Sequence, residues 1–366
     1  SQGVELVRSG AKAAAGLANA VLHKVADNVE DFATASDVDE SERRLVRLSR
    51  LMGLPRWLCA RIMESFDTPE GALNFAGNLA PAPLALHENA FATKADPYIS
   101  QLVAPVFPGC HAPVDAQVTV ASGVFERAAA VASDLNAQLI ATAATRPGSC
   151  LEIGAGRGTK TYVMMCQAKR AGYERQHTAL DLHDRKCDLN LARLHKAGIQ
   201  GVRTVSGDAC ELDEVLTSFD AMLGEPVMFD TVFIDAPCSG TGTMRRHPEI
   251  PWRLTERDVT VDLPKLQLTM LKEAAARVTA GGELIYATCS VFDEENMQVV
   301  DAFLNSPEGA GFSVAPLSEA QILQLPKFEQ AKKLVSVRQN DRGLFQSVPV
   351  NADSYDGHFC ARLVHK

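Results

Sequence analysis

The chain has 366 residues, 46% hydrophobic and 22% charged, which gives it enough apolar side chain for a sizeable core, so it need not be disordered. Its 36 Lys and Arg against 45 Asp and Glu leave a net charge of −9, which excludes a protein that coats nucleic acid by phosphate neutralisation alone. No run of about 20 apolar residues escapes charge or proline, no secretory leader is evident, and nine cysteines lack Cys-x-x-Cys or zinc spacing; the expectation is a metal-free, cytoplasmic protein with no membrane segment.

Residues 1–80 carry apolar side chains at helical spacing, as in Leu45, Leu48, Leu51 and Met52 and then Trp57, Leu58, Ile62 and Met63, so a smaller helical N-terminal region is expected. Asp67, Thr68 and Pro69 predict a helix start. Residues 81–130 change to a proline-rich, β-leaning texture that includes the run Gln117 to Val120, which reads as a mixed α/β connector. From residue 131 onward the pattern alternates. Helices are predicted at 131–145, 159–171, 184–197, 264–279 and 293–305, with strands at 149–153, 176–180, 201–205, 229–234 and 283–287. Short apolar strands between amphipathic helices predict an α/β domain over 131–366 with a doubly wound, mostly parallel sheet. Ligands of such sheets lie beyond the carboxyl ends of the strands, so the residues just after each strand are the candidates for chemistry.

The first of these strands runs into Gly154-Ala155-Gly156-Arg157-Gly158-Thr159-Lys160, a glycine-rich turn that opens a helix. A dinucleotide fingerprint needs glycine where Thr159 stands. The spacing is similar instead to the first motif of S-adenosylmethionine-dependent methyltransferases, although a plain strand-to-helix turn uses glycine in the same way. The next strand ends at Asp181, whose carboxylate suits the two hydroxyls of a ribose or the cap of the following helix, and the third is followed by Asp208, placed for an adenine amino group.

The fourth strand runs into Asp235-Ala236-Pro237-Cys238-Ser239-Gly240, and the fifth into Thr288-Cys289-Ser290. In a doubly wound order these strands are neighbours, which predicts that both thiols and the Asp235 carboxylate converge at one mouth of the sheet. The other seven cysteines read as small buried hydrophobes.

These two strings resemble the fourth and sixth motifs of the Sun and nucleolar-protein family of RNA cytosine-5 methyltransferases. The likeness continues through Arg245-Arg246-His247-Pro248-Glu249-Ile250-Pro251-Trp252, Gln267, Gly281-Gly282, Glu295-Asn296 and Asp356-Gly357-His358-Phe359, and so spans 131–366. Gly16 to Leu22 resembles the last helix of the NusB-like domain of bacterial members that act on small-subunit ribosomal RNA, which implies a remnant of that domain within 1–80. The resemblance implies a Rossmann-like methyltransferase that forms 5-methylcytosine. Cys289 is then the nucleophile, Cys238 takes part in release, and Asp235 contacts the base. The cofactor implied is S-adenosylmethionine, with Gly154, Ala155, Gly156, Arg157, Gly158, Thr159, Lys160, Asp181, Asp208 and Asp235 as its candidate contacts. RNA, expected to be small-subunit ribosomal RNA, is the partner, with Arg245, Arg246 and His247 as candidate contacts and 81–130 as an RNA-positioning region; a monomer is expected. The family's first motif usually reads Ala-Pro-Gly-Gly-Lys, and this chain departs from it while keeping Lys160. Transfer RNA as substrate, and a non-catalytic cofactor-binding RNA scaffold, remain the alternatives.

Overall fold

A computed structural model describes residues 14–27, 45–46, 49–50, 52–66, 68–78, 80–102 and 105–366. The chain divides into two compact units, Ser1–Gly77 and Asn78–Lys366. Among the described residues, no helix is long and apolar enough to cross a membrane.

The first unit contains α1 (Ala15–Asp27), α2 (Arg56–Ser65) and α3 (Pro69–Gly77). Leu58, Cys59 and Ile62 form the buried stripe of α2, and Ala72, Phe75 and Ala76 that of α3, as helical periodicity requires. Phe66 stacks on Phe75 with ring centroids 5.2 Å apart. The Thr68 hydroxyl accepts the Gly71 N–H at 3.1 Å, capping α3. Leu48, Leu51 and Asp67 lie outside the described residues.

The second unit opens with a small antiparallel sheet, in which β1 (Leu86–Glu88) lies between β2 (Cys110–His111) and β3 (Ala130–Ala132). Two expectations are corrected here. Gln117 to Val120 is not β-like but lies in α4 (Ala116–Ala121), because the Asp115 carboxylate accepts the N–H groups of Gln117 and Val118 at 2.8 and 3.0 Å. This cap outweighs the β-branched side chains. The helix expected from 131 begins instead at α5 (Leu135–Ala143), where Asp134 accepts the Asn136 N–H at 2.8 Å.

The large sheet follows. Its parallel strands are β4 (Gly148–Ile153), β5 (Arg175–Asp181), β6 (Val202–Ser206), β7 (Phe229–Asp235) and β8 (Val278–Thr288). The crossing helices α6 (Thr159–Ala171), α7 (Asp184–Lys196), α8 (Leu212–Leu223), the short α9 (Ile250–Arg253), α10 (Leu263–Ala275) and α11 (Met297–Leu304) intervene. After β9 (Phe312–Ala315) and α12 (Glu329–Ser336), β10 (Phe345–Ser347) and β11 (His358–His365) complete the sheet. The strand order is β10-β11-β8-β7-β4-β5-β6, with β9 against β11. β11 runs antiparallel to β8, β9 and β10. Periodicity alone does not separate out α8, β9, β10 or β11.

Alternate residues of the central strands feed two cores. Val232, Ile234, Leu284 and Tyr286 pack with Leu271 and Ala274 of α10 and Val300 and Phe303 of α11. Phe233, Ile285 and Ala287 pack on the other face with Leu139 and Ile140 of α5, Val163 of α6 and Val335 of α12. Apolar cover on both faces explains the continuous apolar strands. Winding reverses at β4, which lies between β5 and β7, and this opens a crevice at the carboxyl ends of the strands.

The segment before β11 closes on the loop after β7. Gly357 N–H donates to the Gly242 carbonyl at 2.8 Å, and a Cβ on Gly242 would lie 2.3 Å from the Gly357 carbonyl oxygen. That neighbour is backbone and has little room to yield. Gly242→Ala is therefore expected to cost about 1–3 kcal/mol of stability, read as a lowered Tm in thermal denaturation; an unchanged Tm would contradict this close approach.

Candidate active site

β4 hands the chain to Gly154 and Gly156, both with positive φ (+77° and +56°), which lets the backbone turn beneath the crevice. A Cβ at Gly154 would stand 2.3 Å from the Asp235 carbonyl oxygen, so the glycine also permits β4 and β7 to end side by side. Gly158, at φ +79°, packs against Asn190, and α6 begins behind it.

The crevice holds a cavity of about 380 Å³ lined by Gly154, Gly156, Asp181, Asp208 and Asp235 among the expected residues. Ala155, Arg157, Gly158, Thr159 and Lys160 do not line it. Arg157 is exposed, and Thr159 instead accepts a hydrogen bond from Arg193 at 2.6 Å. Sequence reasoning missed Leu182, His183, Lys186, Pro237, Leu266 and Met270, which supply the walls. Of these, Leu182 and His183 directly follow Asp181, and Pro237 stands inside the quoted motif. The Asp181 carboxylate accepts the Gly156 N–H at 2.9 Å and the His183 N–H at 3.0 Å, and Lys186 Nζ lies 3.3 Å away. A glycine floor, apolar walls and two strand-end carboxylates suit a nucleoside with a thioether tail, so these residues fit S-adenosylmethionine.

Beside the cavity lies the thiol pair. Asp235 pairs with Ala287 in the parallel register of β7 and β8, so the loops carrying Cys238 and Cys289 leave the sheet at one level. The two Sγ atoms are 3.3 Å apart, and the Cys289 N–H donates to Cys238 Sγ at 3.3 Å. Both side chains are partly exposed, unlike the buried Cys59, Cys110, Cys150, Cys166, Cys187 and Cys360; Cys210, expected to be buried, is partly exposed as well. The hydrogen bond with Cys289, then burial, and then the charges of Cys289 and Glu295 hold the Cys238 thiol well above its ordinary pKa.

Lys160 Nζ donates to Asp235 Oδ2 at 2.6 Å. Burial works against its charge, but the attraction and hydrogen bond of Asp235, followed by the charges of Cys289 and Glu152, raise its pKa above the usual lysine value. A cation therefore sits against the Asp235 carboxylate, within electrostatic reach of Cys289.

The expected RNA contacts divide. Arg245, with a side chain only 2% exposed, donates from Nε to Asp356 Oδ1 at 3.3 Å and also to the Ser354 carbonyl. Arg246 pairs with the same carboxylate and donates to the Pro83 carbonyl at 2.9 Å. Both guanidiniums pair with the buried Asp356 carboxylate, which the sequence places far downstream; the Arg245 side chain is buried by this and Arg246 stays exposed. His247 remains exposed, 3.4 Å from Glu249. A hollow of about 240 Å³ beside them is lined by Arg246, His247, Asp134 and His358.

This fold, with its glycine turn, strand-end acids and crevice at the switch point, defines the class of Rossmann-like S-adenosylmethionine-dependent methyltransferases. A family model described as 16S rRNA methyltransferase RsmB/F matches residues 141–364, and the chain belongs to that family of RNA methyltransferases. Ribosomal RNA small subunit methyltransferase B of Citrobacter koseri is 28% identical over 326 residues, which cover 86% of this chain and 71% of that protein. The protein of the same name from Escherichia coli is 27% identical over 85% of this chain and 66% of its own length. The crystal structure of PH0851 superposes with a TM-score of 0.70 at 21% identity, covering 98% of this chain and 75% of that one, a likeness of fold.

Proposed function

We propose that the protein forms 5-methylcytosine in small-subunit ribosomal RNA, with Cys289 as nucleophile, Cys238 as the release residue and Asp235 as the contact to the base edge. The observation that carries this reading is the 3.3 Å approach of two partly exposed thiols beside the crevice. A methyltransferase acting on an already nucleophilic atom has no use for two thiols. Carbon 5 of cytosine, in contrast, becomes nucleophilic only when a thiolate adds at carbon 6 and breaks the ring conjugation.

The cofactor cavity is held by Gly154, Gly156, Asp181 and Asp208, with Leu182, Leu266 and Met270 as its apolar walls. S-adenosylmethionine, when bound, supplies the methyl group on a cationic sulfur. Cys289 adds through Sγ to carbon 6 of a base that has been flipped from its stack. Asp235 keeps one oxygen on Lys160 and offers the other to the base edge. Cys238 stays a thiol while Cys289 attacks. Once Cys289 Sγ is bonded to carbon, the hydrogen bond that most raises the Cys238 pKa is gone. Cys238 can then lose its proton to solvent and accept the one on carbon 5, and the bond from Cys289 Sγ to carbon 6 breaks as the aromatic ring re-forms.

Residues 131–366 are the catalytic domain in this reading, 81–130 position the RNA, and 1–80 include a remnant of a NusB-like domain. A hollow of about 350 Å³ lined by Phe125, Val131, Arg193 and Lys196 supports the positioning role, because it combines an aromatic ring with two cations. The protein works in the cytoplasm, as a monomer. The test is to incubate it with labelled S-adenosylmethionine and either 16S ribosomal RNA or transfer RNA, then map the product nucleoside. Label in 5-methylcytidine of the ribosomal RNA is expected. Label confined to transfer RNA, or on another atom, would overturn this reading.

A further inference from the structure

The two thiol loops meet at a third side chain. Glu295 is fully buried, and its carboxylate accepts four hydrogen bonds. Oε1 takes the Ser239 N–H at 2.7 Å and Gln267 Nε2 at 3.1 Å, while Oε2 takes the Ser239 hydroxyl at 2.5 Å and the Ser290 hydroxyl at 2.5 Å. Four donors saturate the four acceptor positions of a carboxylate. Ser239 directly follows Cys238, and Ser290 directly follows Cys289. Gln267 Nε2 also donates to the Pro237 carbonyl at 2.9 Å, and the Tyr286 hydroxyl donates to the Glu295 carbonyl at 2.5 Å, so the clamp is itself fixed from α10 and β8.

We infer that Glu295 is the positioning residue of the two-thiol site: one buried carboxylate ties the loop after β7 to the loop after β8 and sets the Cys238 and Cys289 sulfurs at working distance. The inference rests on the two-thiol reading above. Glu295 is not among the residues that line the cofactor cavity, and its carboxylate is held by the serines that follow the two cysteines. Its charge has a second effect, since it adds to the forces that keep Cys238 protonated while Cys289 attacks.

The geometry and the charge separate in two variants. Glu295→Gln keeps the shape: the amide oxygen can accept from Ser239 N–H and Gln267, and the amide nitrogen can donate to the two hydroxyls. Glu295→Ala removes both. The measurement is the rate of denaturation-resistant complex formation with 16S ribosomal RNA transcribed with 5-fluorocytidine, at saturating S-adenosylmethionine, alongside cofactor affinity by calorimetry. Glu295→Ala is expected to slow complex formation about 100-fold, because loss of alignment at a reacting centre costs on that order, with cofactor affinity held. Glu295→Gln is expected to recover most of that loss and to shift the pH profile of Cys238 alkylation, measured in a Cys289→Ser background, toward lower pH. Ser290→Ala removes one of the four donors to Glu295, together with the acceptor of the Phe292 N–H, and keeps the test valid should Glu295→Ala fold poorly; about a tenfold loss is expected from one charge-assisted hydrogen bond. The inference is overturned if Glu295→Ala and Ser290→Ala form the complex at the wild-type rate, if the folded variants lose cofactor affinity in parallel with complex formation, or if the glutamine variant restores nothing and leaves the pH profile in place. If Cys289→Ser itself still forms the complex, the two-thiol reading has failed rather than the clamp.

Discussion

Cys289→Ala is expected to lose methyl transfer by about 10⁴-fold or more, as removal of a covalent nucleophile does in enzymes that act through one. Alanine has no nucleophile to offer carbon 6, so carbon 5 stays unreactive whatever else is bound. The cofactor cavity is lined by other residues, Gly154, Gly156, Asp181 and Asp208 among them, and its walls do not include Cys289. Affinity for S-adenosylmethionine is therefore expected to stay within about threefold of wild type, less than 1 kcal/mol. A single-turnover methylation assay paired with calorimetry separates the two quantities. Loss of cofactor binding together with activity would mean that Cys289 supports the cavity and does not attack the base.

The second large effect is the opposite one. Cys238→Ala is expected to retain the attack but not the release, so protein should accumulate on the RNA as a band that survives denaturation. Cys238 Sγ lies 3.3 Å from Cys289 Sγ and accepts the Cys289 N–H, close enough to serve the same ring carbon pair. In the proposed mechanism, removing it leaves Cys289 in its loop after β8 and takes away the group that accepts the carbon 5 proton. The adduct is expected to exceed the wild-type level by at least about tenfold, the minimum contribution typical of a positioned acid-base group being larger than that. Adding Cys289→Ala to the same chain should abolish the band. A Cys238→Ala protein that turns over normally would remove Cys238 from the mechanism.

The parts of this site that were legible in the sequence are those whose function is fixed by position along one strand. Gly154 and Gly156 stand where a turn must pass under a ligand, and Asp181 ends a strand, so a local pattern suffices. The two cysteines were legible because each follows an apolar strand, and a doubly wound order makes those strands neighbours. What escaped depends on partners remote in sequence. Arg245 and Arg246 read as candidate RNA contacts, and nothing local shows that both pair with Asp356, 111 and 110 residues downstream. The strand that follows Asp356, β11, inserts antiparallel between β8 and β10, and its position is set by pairing with distant strands. Gln117 to Val120 reads as β-leaning from its valines, whereas the single cap at Asp115 decides for helix. Glu295 was visible only as part of a motif, because its donors arrive from Ser239, 56 residues upstream, and from Gln267 on α10.

The most direct test of the central claim is to digest the complex trapped by Cys238→Ala with protease and nuclease and to identify the nucleotide-bearing peptide by mass spectrometry. A methylated cytidine joined through carbon 6 to the peptide containing Cys289 is the expected result. A nucleotide on any other residue, or a cytidine bearing its methyl elsewhere than carbon 5, would contradict the assignment of Cys289 as the attacking thiol.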